Sequence, residues 1–422
     1  MRKNIFIAIL LIVILSIGVR VSFSDNSKAK NNDQLYKQVQ LFSDTLAIIQ
    51  KEYVEDTKIK DLIYGSLKGM LSSLDPHSQF MDPDTYNELK VDTQGKFGGL
   101  GIEITIKDGL LTVITPIEDT PAWRAGLKTG DHIIKINDVL TRDMNLTDAV
   151  KKMRGAPGVA VDITVLRDGK DKLLEFKIVR GIIKIKDIKH VCILENGIGY
   201  IRISEFRENT LLELNNALST LSKQRMKALI IDLRNNPGGL LDVAVKVTGR
   251  FLAPNKMIAY TSGRQKDQDL KFFSDSKNTI FDLPLAILIN EGSASGSEIV
   301  AGALQDYKRA IIIGTKSFGK GSVQTVIPLG DGSALRLTTS HYFTPSGKII
   351  QGKGVIPDIL VKMDEIDNKD EEIKNENNKV KKTEKLLKNN EDFDYKSDEQ
   401  IIRAINSLEA IEFYRQSSRN EK

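Results

Sequence analysis

"LPLAILINEGSASGSEIVAGALQDY" (283–307) opens on an apolar run, crosses a turn of small residues and ends on a helical pattern. An apolar run without polar alternation is the mark of a strand covered on both faces. Strand, turn and helix in that order form the repeating unit of an α/β layer. Three serines, Ser293, Ser295 and Ser297, stand in the turn. A serine at a helix N-terminus lies beside free backbone N–H groups and the positive end of the helix dipole, where an oxyanion can be held. The same place suits a plain helix cap, and this stretch alone favours the cap for Ser295.

The alternation extends through 196–362. "IGYIRIS", "ALIIDLR" and "RAIIIG" read as strands; "NTLLELNNALSTLSK" and "LLDVAVKVTGRFL" read as helices. This predicts α/β layers with crossover connections. Before it, "GKFGGLGIEITIKDGLLTVITPI" gives alternating strands around a "KDG" turn, and "VAVDITVLRDGKDKLLEFKIV" a hairpin. With short helices at "TPAWRAGL" and "NLTDAVKKMRG", residues 95–180 read as a compact β-rich module. Trp123 is expected to pack against it.

Residues 33–91 read as helical. Leu35, Val39, Phe42, Leu46 and Ile49 form one apolar stripe, either the face of a small helical region or a dimer contact. A second helix is expected over 57–74, with Ile59, Leu62, Ile63, Leu67, Met70 and Leu71 inward, ending at "DPHS". "DPDTYNELK" starts a third. Residues 364–396 are dense in Lys, Glu, Asp and Asn and read as a solvated linker. A last helix, 397–416, follows a capping box of Ser397 and Gln400.

With 422 residues and 41% apolar content, the chain has room for two or three domains with a large core. Its 61 basic residues are spread among 56 acidic ones, for a net charge of +5, so no nucleic-acid partner is expected. The single cysteine, Cys192, excludes an internal disulfide framework and reads as a small buried hydrophobe. The four histidines, His77, His132, His190 and His341, lack metal-ligand spacing, so no metal is expected. "MRKN", the apolar "IFIAILLIVILSIGV" and the small residues of "SFS" read as an export signal over 1–24, cleaved after Ser24 or kept as an inner-membrane anchor. Either way the bulk of the chain is expected in the periplasm.

A nucleophilic serine needs a base. His341, in the strand-like "TTSHYFT", is one candidate. Lys320, between Gly319 and Gly321 in "KSFGKGSVQTVIPL", is the other, provided burial makes it a neutral amine. Spacing does not choose between them. Pro237-Gly238-Gly239 offers a tight strand-to-helix turn able to supply a second oxyanion donor.

In order, "GGLGIEI", "PAWRAGLKTGD", "DLRNNPGG", "NEGSASGSEIVAGALQD", "SFGKGSVQTVIPL" and "YFTPSGKIIQGKGVIPD" resemble the carboxyl-terminal processing (tail-specific) protease family, over about residues 35–362. The resemblance implies an α/β multidomain fold: an N-terminal helical region, an inserted PDZ domain, an α/β crossover (crotonase/ClpP-like) protease core over 190–362, and a C-terminal helix. It implies Ser295 as nucleophile, Lys320 as base and Gln324 as the residue orienting the lysine. Gly296 and one of Gly238 or Gly239 would form the oxyanion hole. Gly98, Gly99, Leu100, Gly101 and Ile102 would receive a substrate's free C-terminus, and Arg154 would link the PDZ domain to the catalytic site. Gly296 stands where the family more usually has alanine. The expected activity is an exported serine endopeptidase, without cofactor, acting on proteins with apolar C-termini. A PDZ scaffold with an inactive protease domain and a Ser–His hydrolase using His341 are the other readings.

Overall fold

The computed structural model describes residues 33–142, 144–170, 172–275, 283–362, 393 and 395–420. The expected signal, 1–24, and most of the charged segment 364–396 lie outside them. The chain divides into two compact units, one ending at Asp82 and the other Pro83–Lys422.

In the first unit, α1 covers 33–52 and α2 covers Ile59–Ser72. The α1 stripe is formed but uncovered: Leu35, Val39, Phe42 and Ile49 are exposed. On α2 only Leu71 is buried, and Ile59 and Met70 face solvent, against expectation.

The second unit begins with α3 (Pro83–Gln94) and β1 (Lys96–Gly99). The β-rich module follows: β2 (Ile102–Lys107), β3 (Leu110–Pro116), α4 (Pro121–Ala125), β4 (His132–Ile136), α5 (Leu146–Met153), β5 (Ala160–Leu166) and β6 (Leu174–Val179). Its strands lie antiparallel in the order β2-β3-β4-β5-β6. The β2–β3 turn puts Asp108 and Gly109 at positive φ, as a two-residue hairpin requires. Alternation sends Val161, Ile163 and Val165 of β5 inward against Ala149 and Met153 of α5. Trp123 is 48% exposed rather than packed. From β6 the chain passes into β7 (Gly181–Lys184), which pairs antiparallel with β1. The module is therefore carried on a two-stranded ribbon.

The α/β core comprises β8 (Ile188–Ile193), β9 (Ile198–Ile203), α6 (Thr210–Lys223), β10 (Ala228–Asp232), α7 (Leu241–Gly249), β11 (Met257–Gly263), β12 (Leu285–Ile289), α8 (Gly296–Asp306), β13 (Ile311–Gly314), β14 (Ser322–Pro328), β15 (Ala334–Phe343), β16 (Ile359–Leu360) and α9 (Glu399–Asn420). Its main sheet runs β8-β9-β10-β12-β13-β16, parallel from β9 onward. The uninterrupted apolar strands are explained by cover on both faces. Leu285, Ile287 and Ile289 join the cluster containing α6, α7 and α8, whereas Ala286 and Leu288 join Ile401, Ala404, Ile405 and Leu408 of α9. Cys192 is half-buried against the α9 side. A second sheet pairs β14 with β15 and β15 with β11.

Helix α9 starts two residues later than expected. Its cap is Asp398, whose Oδ1 accepts from the backbone N–H of Gln400 and Ile401 (3.0 and 3.1 Å). Gln400 turns inward instead, accepting from Arg234 and donating to Val361 O.

Candidate active site

Ser295 stands at the N-cap of α8 with φ 53° and ψ −110°. A non-glycine residue in that region stores about 1–3 kcal/mol of strain, and such strain clusters at functional turns. Its neighbours are committed elsewhere. Ser293 Oγ donates to Leu233 O (2.8 Å), and Ser297 Oγ donates to Asn236 O (2.9 Å). The Ser295 side chain instead stays at the mouth of its own helix, where it forms a capping box with Glu298.

The "DLRNNPGG" turn lies directly against it. Asn236, fully buried, donates to Ile203 O (2.9 Å), accepts from Gly238 N–H on its side chain (2.9 Å) and accepts from Ala294 N–H on its carbonyl (3.0 Å). Asn290 exchanges side-chain and backbone bonds with Asn235. A Cβ added to Gly238 would come within 2.7 Å of Ser295 Cβ and 2.9 Å of Gly296 N. One added to Gly239, at φ +135°, would collide with Phe206 O. Only glycine permits this approach. The N–H groups of Gly239 and Gly296 make no hydrogen bond with a described residue, whereas that of Gly238 is taken by Asn236.

Glu298, the third residue of α8 and fully buried, joins this turn to the lysine loop. Its Oε2 accepts from the backbone N–H of Ser295 (2.8 Å) and of Lys320 (2.8 Å); its Oε1 accepts from Ser317 Oγ (2.6 Å) and Gly319 N–H (2.7 Å). From the core side, the buried Tyr342 hydroxyl contacts the carbonyls of both Ser295 (3.1 Å) and Lys320. The two segments, 25 residues apart in sequence, are thus clasped twice through their backbones. Burial pushes the Glu298 carboxyl up, against four donors that hold it down. Burial also lowers the half-buried Lys320 amine, aided by the Arg336 cation and opposed by Glu298.

The remaining expected residues are placed less centrally. Gln324, on β14, donates to Ser322 Oγ (2.9 Å). His341 is exposed on β15 and makes no side-chain hydrogen bond with a described residue, so it lacks the orienting partner a histidine base uses. Gly98 and Gly99 lie in β1, and Leu100 O and Gly101 O accept from Ala122 and Ile117 N–H. Arg154, beyond α5, holds its guanidinium 4.4 Å from the Phe97 ring centroid. Glu298, Tyr342 and Asn236 were missed by sequence reasoning. The Ser295-x-x-Glu298 spacing of a capping box was the available signal for Glu298.

Residues 197–361 match peptidase family S41 and residues 98–178 match the PDZ domain. Over 337 residues, 79% of this chain and 77% of the relative, the sequence is 47% identical to the carboxy-terminal-processing protease of Bartonella bacilliformis. The chain belongs to peptidase family S41. It is also 34% identical to carboxy-terminal processing protease CtpB of Bacillus subtilis, across 80% of this chain and 69% of that one. Residues 18–85 match the activating protease CtpB N-terminal domain. Among solved structures, the photosystem II D1 C-terminal processing protease is 29% identical, with TM-score 0.44, covering 76% of this chain and 92% of its own. This S41 chain is accordingly a serine-type peptidase carrying a PDZ domain.

Within it, Gly296 has a local reason. A Cβ there would meet Phe206 Cδ2 at 3.0 Å and Ala244 Cβ at 3.2 Å. Gly296→Ala is expected to cost about 1 kcal/mol through overpacking, with a partial loss of turnover. A denaturation midpoint equal to that of the wild type would show that the Phe206 ring yields freely.

Proposed function

We propose that this S41 peptidase uses a Ser295–Lys320 dyad to cleave proteins presented by their C-terminal segments. The observation that carries the reading is the double clasp: Glu298 and Tyr342 each bond to both Ser295 and Lys320. Neutral Lys320 takes the Ser295 hydroxyl proton as Oγ attacks the scissile carbonyl. The N–H groups of Gly296 and Gly239 receive the oxyanion, and Gly238 serves close approach because its own N–H is engaged. The amine leaves with a proton returned from Lys320, and water then hydrolyses the ester with the lysine again as base. Gln324 orients the lysine in the productive state.

The PDZ domain selects the substrate end. Strand β2 pairs only with β3 among the described residues, so its other edge is open for an added peptide strand. The N–H groups of Leu100 and Gly101 make no hydrogen bond with a described residue and are available to a carboxylate, within the loop running from Gly98 and Gly99 to Ile102. Arg154, stacked on Phe97 beside that loop, is the proposed link from PDZ domain to catalytic site. Apolar C-termini are the expected targets. Export to the periplasm through the 1–24 segment, and pairing of two chains through the uncovered α1 stripe, complete the proposal.

The test is cleavage of an unfolded reporter with a free apolar C-terminus. Wild type should cut, Ser295→Ala should not, and amidating the reporter's C-terminus should raise KM. Equal cleavage of free and amidated reporters would remove the PDZ selection step.

The pH dependence has a fixed sign. The base acts only when neutral, so kcat/KM should rise with pH through the Lys320 pKa, which lies below the ordinary lysine value. Arg336 and Glu298 are the charged groups acting on it. Arg336→Gln removes the repelling cation and should move the rising limb to higher pH. A limb that stays in place in that variant would mean another group titrates.

A further inference from the structure

The tripeptide Glu205–Arg207 lies between the ribbon that carries the PDZ domain and the two glycines proposed for the oxyanion hole. On the oxyanion side is Phe206. Its backbone N–H donates to Gly238 O (2.8 Å), and its carbonyl accepts from Leu240 N–H (2.7 Å), bracketing Gly239. Its ring is the surface on which Gly296 rests. One residue therefore bears on both oxyanion peptide units.

On the ribbon side is Arg207. Its guanidinium pairs with Asp187 and with Glu205, and Asp187 is almost fully buried. Asp187 is further held by Thr210 Oγ1 (2.7 Å), and its carbonyl accepts from Ser204 N–H (2.8 Å). The Arg207 side chain lies where a Cβ on Gly95 would meet its Cδ at 3.1 Å. Gly95 leads into β1, and Asp187 follows β7, so Arg207 grips both roots of the ribbon; Ile185 N–H to Gly95 O (2.8 Å) closes them together. The charged groups facing one another here are Asp92, Asp187, Glu205 and Arg207. Without the arginine, only negative groups would remain.

We propose that Arg207 is a positioning residue: by clamping its own segment to the roots of the PDZ ribbon, it sets Phe206 and thereby the two oxyanion N–H groups. The inference rests on the oxyanion assignment made above. It makes the oxyanion geometry dependent on how the ribbon is seated, even for a substrate that never touches the PDZ domain.

Three variants test it: Arg207→Gln, Arg207→Lys and the double variant Arg207→Gln/Glu205→Gln. Each is assayed on the protein reporter and on p-nitrophenyl butyrate, a small ester that does not occupy the PDZ domain, with thermal unfolding measured alongside. Displaced donors should lower kcat about ten-fold on both substrates, with KM within two-fold, since small misplacement is felt in the transition state. The lysine, a point charge that cannot fork to two carboxylates, should recover only part of the loss. The double variant relieves the carboxylate repulsion and should recover Tm but not kcat. Recovery of both together would overturn the proposal, because the arginine would then matter only for folding. A loss confined to the protein reporter would also overturn it, placing the effect in PDZ docking. Ester turnover that survives Ser295→Ala would overturn the underlying site assignment instead, whatever Arg207 does.

Discussion

Lys320→Ala should leave a folded protein whose turnover of the protein reporter falls by roughly 10²–10⁴-fold, the usual contribution of a positioned general base. Folding should survive because the bonds that organise the loop run through the backbone: Lys320 N–H to Glu298 and Lys320 O from Tyr342. The side-chain amine makes no hydrogen bond with a described residue. The informative comparison is with His341→Gln, which should stay within about two-fold of wild type, as exposed surface changes usually do. If Lys320→Ala cuts well while His341→Gln and Ser295→Ala are silent, the base is the histidine.

Glu298→Gln is expected to be nearly as damaging, although it changes neither size nor shape. Each carboxylate oxygen accepts two hydrogen bonds, from Ser295 and Lys320 on one side and from Ser317 and Gly319 on the other. An amide can present an acceptor to only one of these pairs, and its NH₂ would face two donors on the other. Each buried donor left unsatisfied costs about 1–3 kcal/mol, so a loss of about 3 kcal/mol or more in chemical denaturation is expected. Activity should fall with it, because either orientation of the amide releases one side of the clasp. A Glu298→Gln variant with wild-type stability and rate would show that the two segments are held together by something else.

Much of the architecture was legible because its causes are local. Continuous apolar runs such as "LPLAILI" require cover on both faces, and the structure supplies it with α8 on one side and α9 on the other. The "KDG" turn needed positive φ and has it. Local reasoning failed where distant chain decides the outcome. The α9 cap moved from Ser397 to Asp398 because Gln400 is drawn inward by Arg234, 166 residues earlier in the chain. Trp123 was expected to pack, but the module's core closes over Ala122 and Leu127 without it.

The site divides along the same line. Residue types and their turns offered Ser295, the glycine pair and two candidate bases, Lys320 and His341; it was the resemblance to the carboxyl-terminal processing proteases that pointed to Ser295 with Lys320. None of these could reveal that one buried carboxylate and one tyrosine hydroxyl would bind both the Ser295 and the Lys320 segments. Nor could they show that Phe206 would lie across both glycines, or that Arg207 would grip the roots of the PDZ ribbon. Apolar periodicity, turn residues and continuous apolar runs are written within a few neighbouring residues, so sequence alone marked where most helices, turns and strands form. Convergence of groups from Arg207 and Asp187, 20 residues apart, to Arg207 and Gly95, 112 apart, depends on sheet register and on where long loops close, and only the tertiary structure decided it.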